Sequence, residues 1–371
     1  DADLVSMARP LLADPEFVNK AASGRAAEIN TCIACNQACL DHTFRNELAS
    51  CLVNPRACRE TELNYGATAA NKKIAVVGAG PAGLAAACVL AERGHTVQLF
   101  ESAAEIGGQF NMAKRIPGKE EFHETLRYFR SQLERLGIAV QLNTRVTAEQ
   151  LVQGKFAEVL LATGVTPRNP GIPGQEHPMV LSYVDVILHN RPVGKRVAVV
   201  GAGGIGFDVA EFLVGDGHSP TLDLAAWLKE WGVTDPAFAR GGVAGVKPQV
   251  EPPARQVYLL QRKAGKPGAG LGKTTGWIHR AALKMKCVEM LAGVSYDGID
   301  DAGLHITIDN VRSVLVVDNI VLCTGQEPLR ELLEPLKAAG VTTHLIGGAD
   351  VATELDAKRA IRQASELAAG I

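Results

Sequence analysis

Cys32, Cys35, Cys39 and Cys51 follow one another as C-x2-C-x3-C-x11-C, so half of the chain's eight cysteines fall in one short run. Four thiolates that can converge on one point are what a 4Fe–4S cluster requires, because each iron takes one cysteine sulfur. Zinc is the main rival, since it also accepts four cysteines. Zinc ribbons, however, pair two C-x2-C knuckles, and here x3 and x11 spacings replace the second pair. A disulfide framework ranks third, because the rest of the chain reads as intracellular. Cys58 lies outside the pattern and is expected to be a buried bystander.

Directly after this run comes Gly78-Ala79-Gly80-Pro81-Ala82-Gly83 in a complete context. A buried strand, Ile74–Val77, precedes it. A helix from Leu84 to Arg93, stopped by Gly94, follows, and a second strand, Thr96–Phe100, ends at Glu101. Gly78, Gly80 and Gly83 let the backbone approach a pyrophosphate, which the helix N-terminus stabilises. Glu101 can accept hydrogen bonds from ribose hydroxyls, which selects an unphosphorylated ribose; the bland alternative is a solvated strand-end glutamate. Further features favour FAD here. Gly107-Gly108-Gln109 follows Glu101 closely, as in many two-dinucleotide flavoproteins. Leu160-Leu161-Ala162-Thr163-Gly164 has the form of the strand and turn that return past a flavin, and Leu322-Cys323-Thr324-Gly325 repeats it. Near the C-terminus Asp350, after Leu345-Ile346-Gly347-Gly348-Ala349, precedes a helix and is placed to meet the ribityl or phosphate region.

The same grammar returns with the strand Val197–Val200, the turn holding Gly201, Gly203 and Gly206, and a helix to Val214. Its closing strand, Val257–Leu260, is delayed by a Gly- and Pro-rich insertion over 216–255 with a short helix near Leu224–Leu228. This strand ends in Gln261-Arg262-Lys263, where the first ends in Glu101. Arg262 can grip a 2′-phosphate bidentately and Lys263 adds a point charge, which points to NADPH over NADH; the alternative is a solvated basic turn. The run 265–273 is a flexible basic loop without Walker A spacing. No nucleophile elbow is present, and the nine histidines form no metal spacing. His279, beside Trp277 and Arg280, could face a ligand or be structural. The disulfide reductases of this fold need a C-x4-C pair by the flavin; the first domain offers only Cys88, a core residue, which excludes that class.

The elements that must position these residues make an α/β chain. With 371 residues, 47% apolar content, 38 glycines and 5% aromatics, two or three full-sized domains are expected. The net charge of −2 gives no general field for nucleic acid or anionic membrane. No apolar run is long enough for a membrane span, and no basic and apolar leader opens the chain, so a cytoplasmic location is expected. The chain begins Asp-Ala-Asp-Leu-Val without methionine and runs into an apolar strand, Leu4–Met7, so a fragment beginning inside a domain is expected. The expected organisation is a barrel remnant over 1–25, a cysteine segment over 26–70, an FAD-binding domain over 71–190 and 320–371, and an NADPH-binding domain inserted at 191–319.

An iron–sulfur knot followed by FAD and NADPH domains, behind Val5-Ser6-Met7-Ala8-Arg9-Pro10, resembles the bacterial NADPH-dependent 2,4-dienoyl-CoA reductases. Their wider group includes trimethylamine dehydrogenase and the enoate reductases, all with an old-yellow-enzyme-like FMN barrel. Cys51-Leu52-Val53-Asn54-Pro55-Arg56-Ala57-Cys58, Ile116-Pro117-Gly118-Lys119-Glu120-Glu121-Phe122, and the stretch from Gly270 to Arg280 carry the likeness, which covers essentially the whole chain. It implies two Rossmann-like domains, the NADPH domain inserted in the FAD domain, behind the cysteine segment and the last strand of a TIM barrel. It implies an electron-input half, passing electrons from NADPH through FAD and a 4Fe–4S cluster to FMN and a 2,4-dienoyl-CoA, with the acid–base pair upstream of this chain. It places the glycines, Ala82, Glu101, Gln109, Lys119 and Val146 at FAD, Ala8 and Arg9 at the FMN phosphate, and Lys266 and Trp277 in an NADPH- or substrate-facing loop. Related enoate reductases or amine dehydrogenases are the competing enzymes, the latter disfavoured by Arg262-Lys263. A zinc-stabilised interaction module with a vestigial nucleotide fold is the competing non-enzyme.

Overall fold

Two five-stranded parallel sheets organise the chain, each in its own compact unit. The structure, a computed structural model, describes residues 2–371. The first unit comprises residues 2–111, 121–166 and 326–371; the second comprises 112–120 and 167–325. In the first, the strands run in the order Thr343–Leu345, Glu158–Leu161, Lys73–Val77, Thr96–Phe100, Ala139–Gln141, all parallel. Ile74, Val76, Leu99, Leu160 and Leu161 are wholly buried. A central parallel strand is covered on both faces, which is why these strands read as unbroken apolar runs. The helix Pro81–Glu92 covers one face, starting with Pro81 in its first turn and released at Gly94 (φ +98°). The last helix, Ala357–Gly370, packs along it through Ala360, Ile361, Ala364 and Ala368.

The second unit repeats this plan. Its parallel sheet runs Val180–Ser182, Asn319–Leu322, Arg196–Val200, Gln256–Leu260, Glu289–Leu291, with the helix Gly204–Val214 on one face. An antiparallel sheet of Ser295–Asp300, Gly303–Ile308 and Val311–Leu315 adjoins it in sequence. The insertion does contain the expected helix, Leu224–Trp231, started by Asp223, whose carboxylate accepts the Ala225 and Ala226 N–H groups, and ended at Gly232 (φ +66°).

Three expectations need correction. The strand at Leu4–Met7 is not formed: among the described residues nothing pairs with it, Leu4 is 92% exposed, and short helices Arg9–Ala13 and Phe17–Ala22 follow. Residues 167–190 pack with the second unit, because Val180–Ser182 pairs with Asn319–Leu322. For the same reason Leu322–Gly325 serves the second glycine turn and not the first.

At the base of the first sheet a carboxylate ties three strands together. Glu158 accepts hydrogen bonds from Lys72 Nζ (2.6 Å) and His344 Nε2 (2.7 Å). Burial alone would raise its pKa, but these two donors outweigh it and hold the carboxyl below the usual carboxylate range. A lowered folded-state pKa contributes stability above the unfolded value, near pH ~4, and that stability is lost as pH falls through the folded value. Glu158→Gln should therefore lower stability by about 1–3 kcal/mol at neutral pH. In urea unfolding the two proteins should converge once pH has fallen below the lowered folded-state value of Glu158; equal midpoints at pH 7 would show that the staple carries no weight.

Candidate functional site

The first glycine turn is shaped by contacts that admit no side chain. A Cβ on Gly78 (φ +105°) would overlap the Ala162 carbonyl oxygen, and one on Gly83 would overlap the Gly78 carbonyl oxygen. These glycines let the helix Pro81–Glu92 start hard against the strand end, its first amides uncapped by any side chain. Glu101 stands at the mouth of the turn: its carboxylate accepts the Ala79 N–H (2.7 Å) and the Ala103 N–H (2.8 Å). The loop carrying Gly107-Gly108-Gln109 is fastened here by the Gly107 N–H to the Ala79 carbonyl (2.8 Å), and a Cβ on Gly108 would lie 2.9 Å from Gly80 Cα.

The C-terminal segment closes on the same place. A Cβ on Gly347 (φ +63°) would sit 2.8 Å from Ala82 Cβ, and one on Gly348 would lie 3.2 Å from the Gly164 carbonyl carbon. Asp350 Oδ2 accepts Gln363 Nε2 (2.6 Å), while Gln363 Oε1 accepts the Gly347 N–H (2.8 Å). Arg330 donates to the Ala349 carbonyl (2.6 Å) and to the Asp350 carbonyl. Gly78, Gly80, Ala82, Gly83, Glu101 and Gly108 are thus brought to the carboxyl ends of the first sheet's strands, with Gly164 and Asp350 carried there beside Gly347 and Gly348. This is where an open α/β sheet binds its ligand. Gln109 lies half-buried in the fastened loop. Val146 turns its side chain into the core with Phe100 and Leu151, so only its backbone faces outward chemistry. Arg330 and Gln363 escaped the sequence reading, for no motif marks them.

Cys32, Cys35, Cys39 and Cys51 line one small cavity together with Ile33, Leu52 and Arg9. Burial pushes the Cys35 thiol up to about 12 and the Cys51 thiol up to about 11, the neighbouring sulfurs adding to it. Among the described residues, no three His, Cys, Asp or Glu side chains stand in the grouping of a bound ion. A tight polar frame holds the segment. Buried Asp14 accepts Lys20 Nζ (2.7 Å) and the Asn30 N–H (2.8 Å), Asn30 Nδ2 donates to Val53 O (2.9 Å), and Asn54 Nδ2 to Leu12 O (2.8 Å). Arg127 donates to the carbonyls of Ala27 and Ile29 and to Thr31 Oγ1 (3.0 Å), pinning the entry to the cysteines on the helix Phe122–Arg135. Arg9 donates to Asn36 Oδ1 (2.9 Å), while Ala8, just before it, is exposed. Cys58 stays outside the cavity as expected but is exposed, not buried, on a left-handed backbone (φ +62°). Cys88 is fully buried, and burial drives its pKa far up.

In the second unit, a Cβ on Gly201 (φ +115°) would overlap the Cys323 carbonyl oxygen and one on Gly206 the Gly201 carbonyl oxygen, the first turn's contacts over again. Gly203 is open. Arg262 and Lys263 are exposed on the turn after Gln256–Leu260, with no ion-pair partner among the described residues. Gln261 braces that turn by donating to the Lys263 carbonyl (3.0 Å) and the Gly265 carbonyl. Lys266 is exposed in the next loop, and Trp277 is 58% exposed at the start of the helix Gly276–Met285. His279 is committed to buried Glu211 (2.7 Å); the carboxylate's hydrogen bond raises the imidazole pKa, and burial raises that of Glu211. Lys119 belongs to this unit, where it pairs with Asp208 (2.5 Å).

Two Rossmann-like units with paired glycine turns define a two-dinucleotide oxidoreductase fold. The chain belongs to the pyridine nucleotide-disulphide oxidoreductase family, whose match spans residues 72–359. Membership in this family implies FAD and NAD(P). It is 34% identical to a metal reductase of Desulforamulus reducens over 352 residues, which are 94% of this chain and 51% of that protein. It is 33% identical to a cinnamate reductase of Clostridium sporogenes over 225 residues, 59% of this chain and 33% of that protein. A 2-naphthoyl-CoA reductase structure superposes with a TM-score of 0.86 at 25% identity, covering 100% of this chain and 50% of that one. Histamine dehydrogenase from Rhizobium sp. 4-9 shares the fold, with a TM-score of 0.79 at 22% identity, covering 100% of this chain and 52% of that one. The chain thus spans about half the length of the metal reductase. Among the described residues no helix is long and apolar enough to cross a membrane.

Proposed function

We propose that this chain is the electron-input part of an NADPH-dependent reductase of conjugated acyl-CoA esters, the 2,4-dienoyl-CoA class. The observation that carries the reading is the joining of four cysteine side chains around one cavity in the unit that also holds the flavin-type turn. Cys32, Cys35, Cys39 and Cys51 would each ligate one iron, and a cluster spreads four sulfurs around a larger body than a single zinc does. The glycine turn, Glu101 and Asp350 would hold FAD, and Gly201, Gly203, Gly206, Arg262 and Lys263 would hold NADPH. When bound, these groups supply hydride uptake from NADPH, one-electron release, and delivery to FMN in a longer protein. The chain's own residues orient the nucleotides, keep the cluster segment rigid and shield it from water.

The acyl-CoA class is supported by the likeness to 2-naphthoyl-CoA reductase along the whole chain. An enoate substrate is the second reading, supported by the cinnamate reductase relative. The test is NADPH oxidation by the iron- and FAD-loaded chain with ferricyanide, beside 2,4-hexadienoyl-CoA. Ferricyanide turnover with no thioester turnover is expected, alongside flavin bands and a broad iron–sulfur shoulder. Thioester turnover by this chain alone would put the chemistry in the wrong half, and a colourless zinc protein would overturn the reading.

A further inference from the structure

Within the second unit, strand pairing fixes what stands beside the glycine turn. Val200 and Leu260 end paired strands in register, and the Gly201 N–H donates to the Leu260 carbonyl (2.8 Å). The chain therefore leaves both strands at the same end of the sheet, the turn 201–206 beside the basic run 262–266. Lys266 is exposed, whereas Pro267 and Gly268, directly after it, are buried. The Ala269 N–H donates to the Lys266 carbonyl (3.1 Å), and Gly268 has φ +74°. Residues 266–269 thus close a tight turn of the kind that takes proline second and glycine third.

This turn is seated from two sides. A Cβ on Gly268 would stand 2.6 Å from Phe207 Cζ, and Phe207 is a buried residue of the helix Gly204–Val214, which starts from the glycine turn. From the other side Arg280 Nη1 donates to the Gly268 carbonyl (2.9 Å). The helix that carries Arg280, Gly276–Met285, is bolted to Gly204–Val214 by His279 and Glu211 (2.7 Å). Gly203 and Gly204 stand open, with nothing within 4 Å of a Cβ added at either.

From this geometry we infer that Arg280 is a positioning residue for the 2′-phosphate end of the nucleotide: it holds the 266–269 turn on Phe207 and so sets where the run 262–266 stands beside the glycine turn. The inference rests on the reading of this turn as the NADPH site. A guanidinium suits the task, because its planar fork is rigid and loses little freedom in holding a carbonyl. The exposed basic side chains then meet a phosphate at lower entropic cost, since the backbone beneath them is already fixed.

The experiment is calorimetric titration of the FAD- and iron-loaded chain with NADP+ and with NAD+, at low and high salt. The parent should prefer NADP+. Arg280→Met should weaken NADP+ about tenfold, close to the loss of one charge-assisted contact, and NAD+ less than about threefold. Arg280→Lys, which keeps a donor for the Gly268 carbonyl, should stay within about threefold of the parent. Gly268→Ala, which collides with Phe207, and Phe207→Leu, which thins the seat, change no charge. Each should still weaken NADP+ at least about threefold and leave NAD+ nearly unchanged. The salt dependence of NADP+ binding should flatten in every impaired variant. Full NADP+ preference in both Gly268→Ala and Phe207→Leu would show that Arg280 does not act through the turn. Equal loss of both nucleotides in Arg280→Met would reduce it to a packing residue; either result overturns the inference. A parent without preference for NADP+ overturns the reading of the basic run itself, and is seen before any variant is made.

Discussion

Cys35→Ala, assembled beside the parent with iron and sulfide, should lose essentially all bound iron, whereas Cys58→Ser should keep about four irons per chain. The asymmetry is geometric. Cys35 lines the shared cavity with the other three sulfurs, and Cys58 points to solvent on a left-handed turn. Removing one of four ligands leaves an iron with an open site next to buried thiols that otherwise stay protonated, as their raised pKa values require. Cys32→Ala, Cys39→Ala and Cys51→Ala should behave like Cys35→Ala. Iron and zinc analysis with the visible spectrum reads the result. Equal iron loss on changing Cys58, or zinc in place of iron in the parent, would overturn the cluster assignment.

The second large effect concerns nucleotide choice. Replacing Arg262 and Lys263 together by glutamine should weaken NADPH ten- to a hundredfold, roughly 1.5–3 kcal/mol, and leave NADH nearly unchanged. The two side chains are exposed and have no ion-pair partner among the described residues, so their loss breaks no ion pair. Affinity for NADPH should also fall steeply with added salt in the parent and less in the variant, because a 2′-phosphate grip is electrostatic. Stopped-flow flavin reduction with each donor measures this directly. A parent that already prefers NADH would show the basic pair to be a solvated turn.

Much of this was legible in the sequence. The two glycine turns and their strands stand where the pattern put them, because a parallel strand covered on both faces must be apolar throughout. A turn whose Cβ would overlap a carbonyl must also be glycine: Gly78, Gly83, Gly201 and Gly206 are each demanded by one local clash. Type and spacing also singled out the four cysteines that line one cavity. What only the tertiary structure decided was long-range pairing and the duties of ordinary polar residues. Val180–Ser182 joins the second sheet through a strand at Asn319–Leu322, a choice made by hydrogen-bonding partners far along the chain and invisible in either segment alone. Asp14, Arg127, Arg330 and Gln363 are common residue types whose work depends wholly on the carbonyls and amides that folding brings to them. Local sterics and burial leave their mark on residue type; partnership across the fold does not, since any donor of the right length can serve once the backbone has delivered its acceptor.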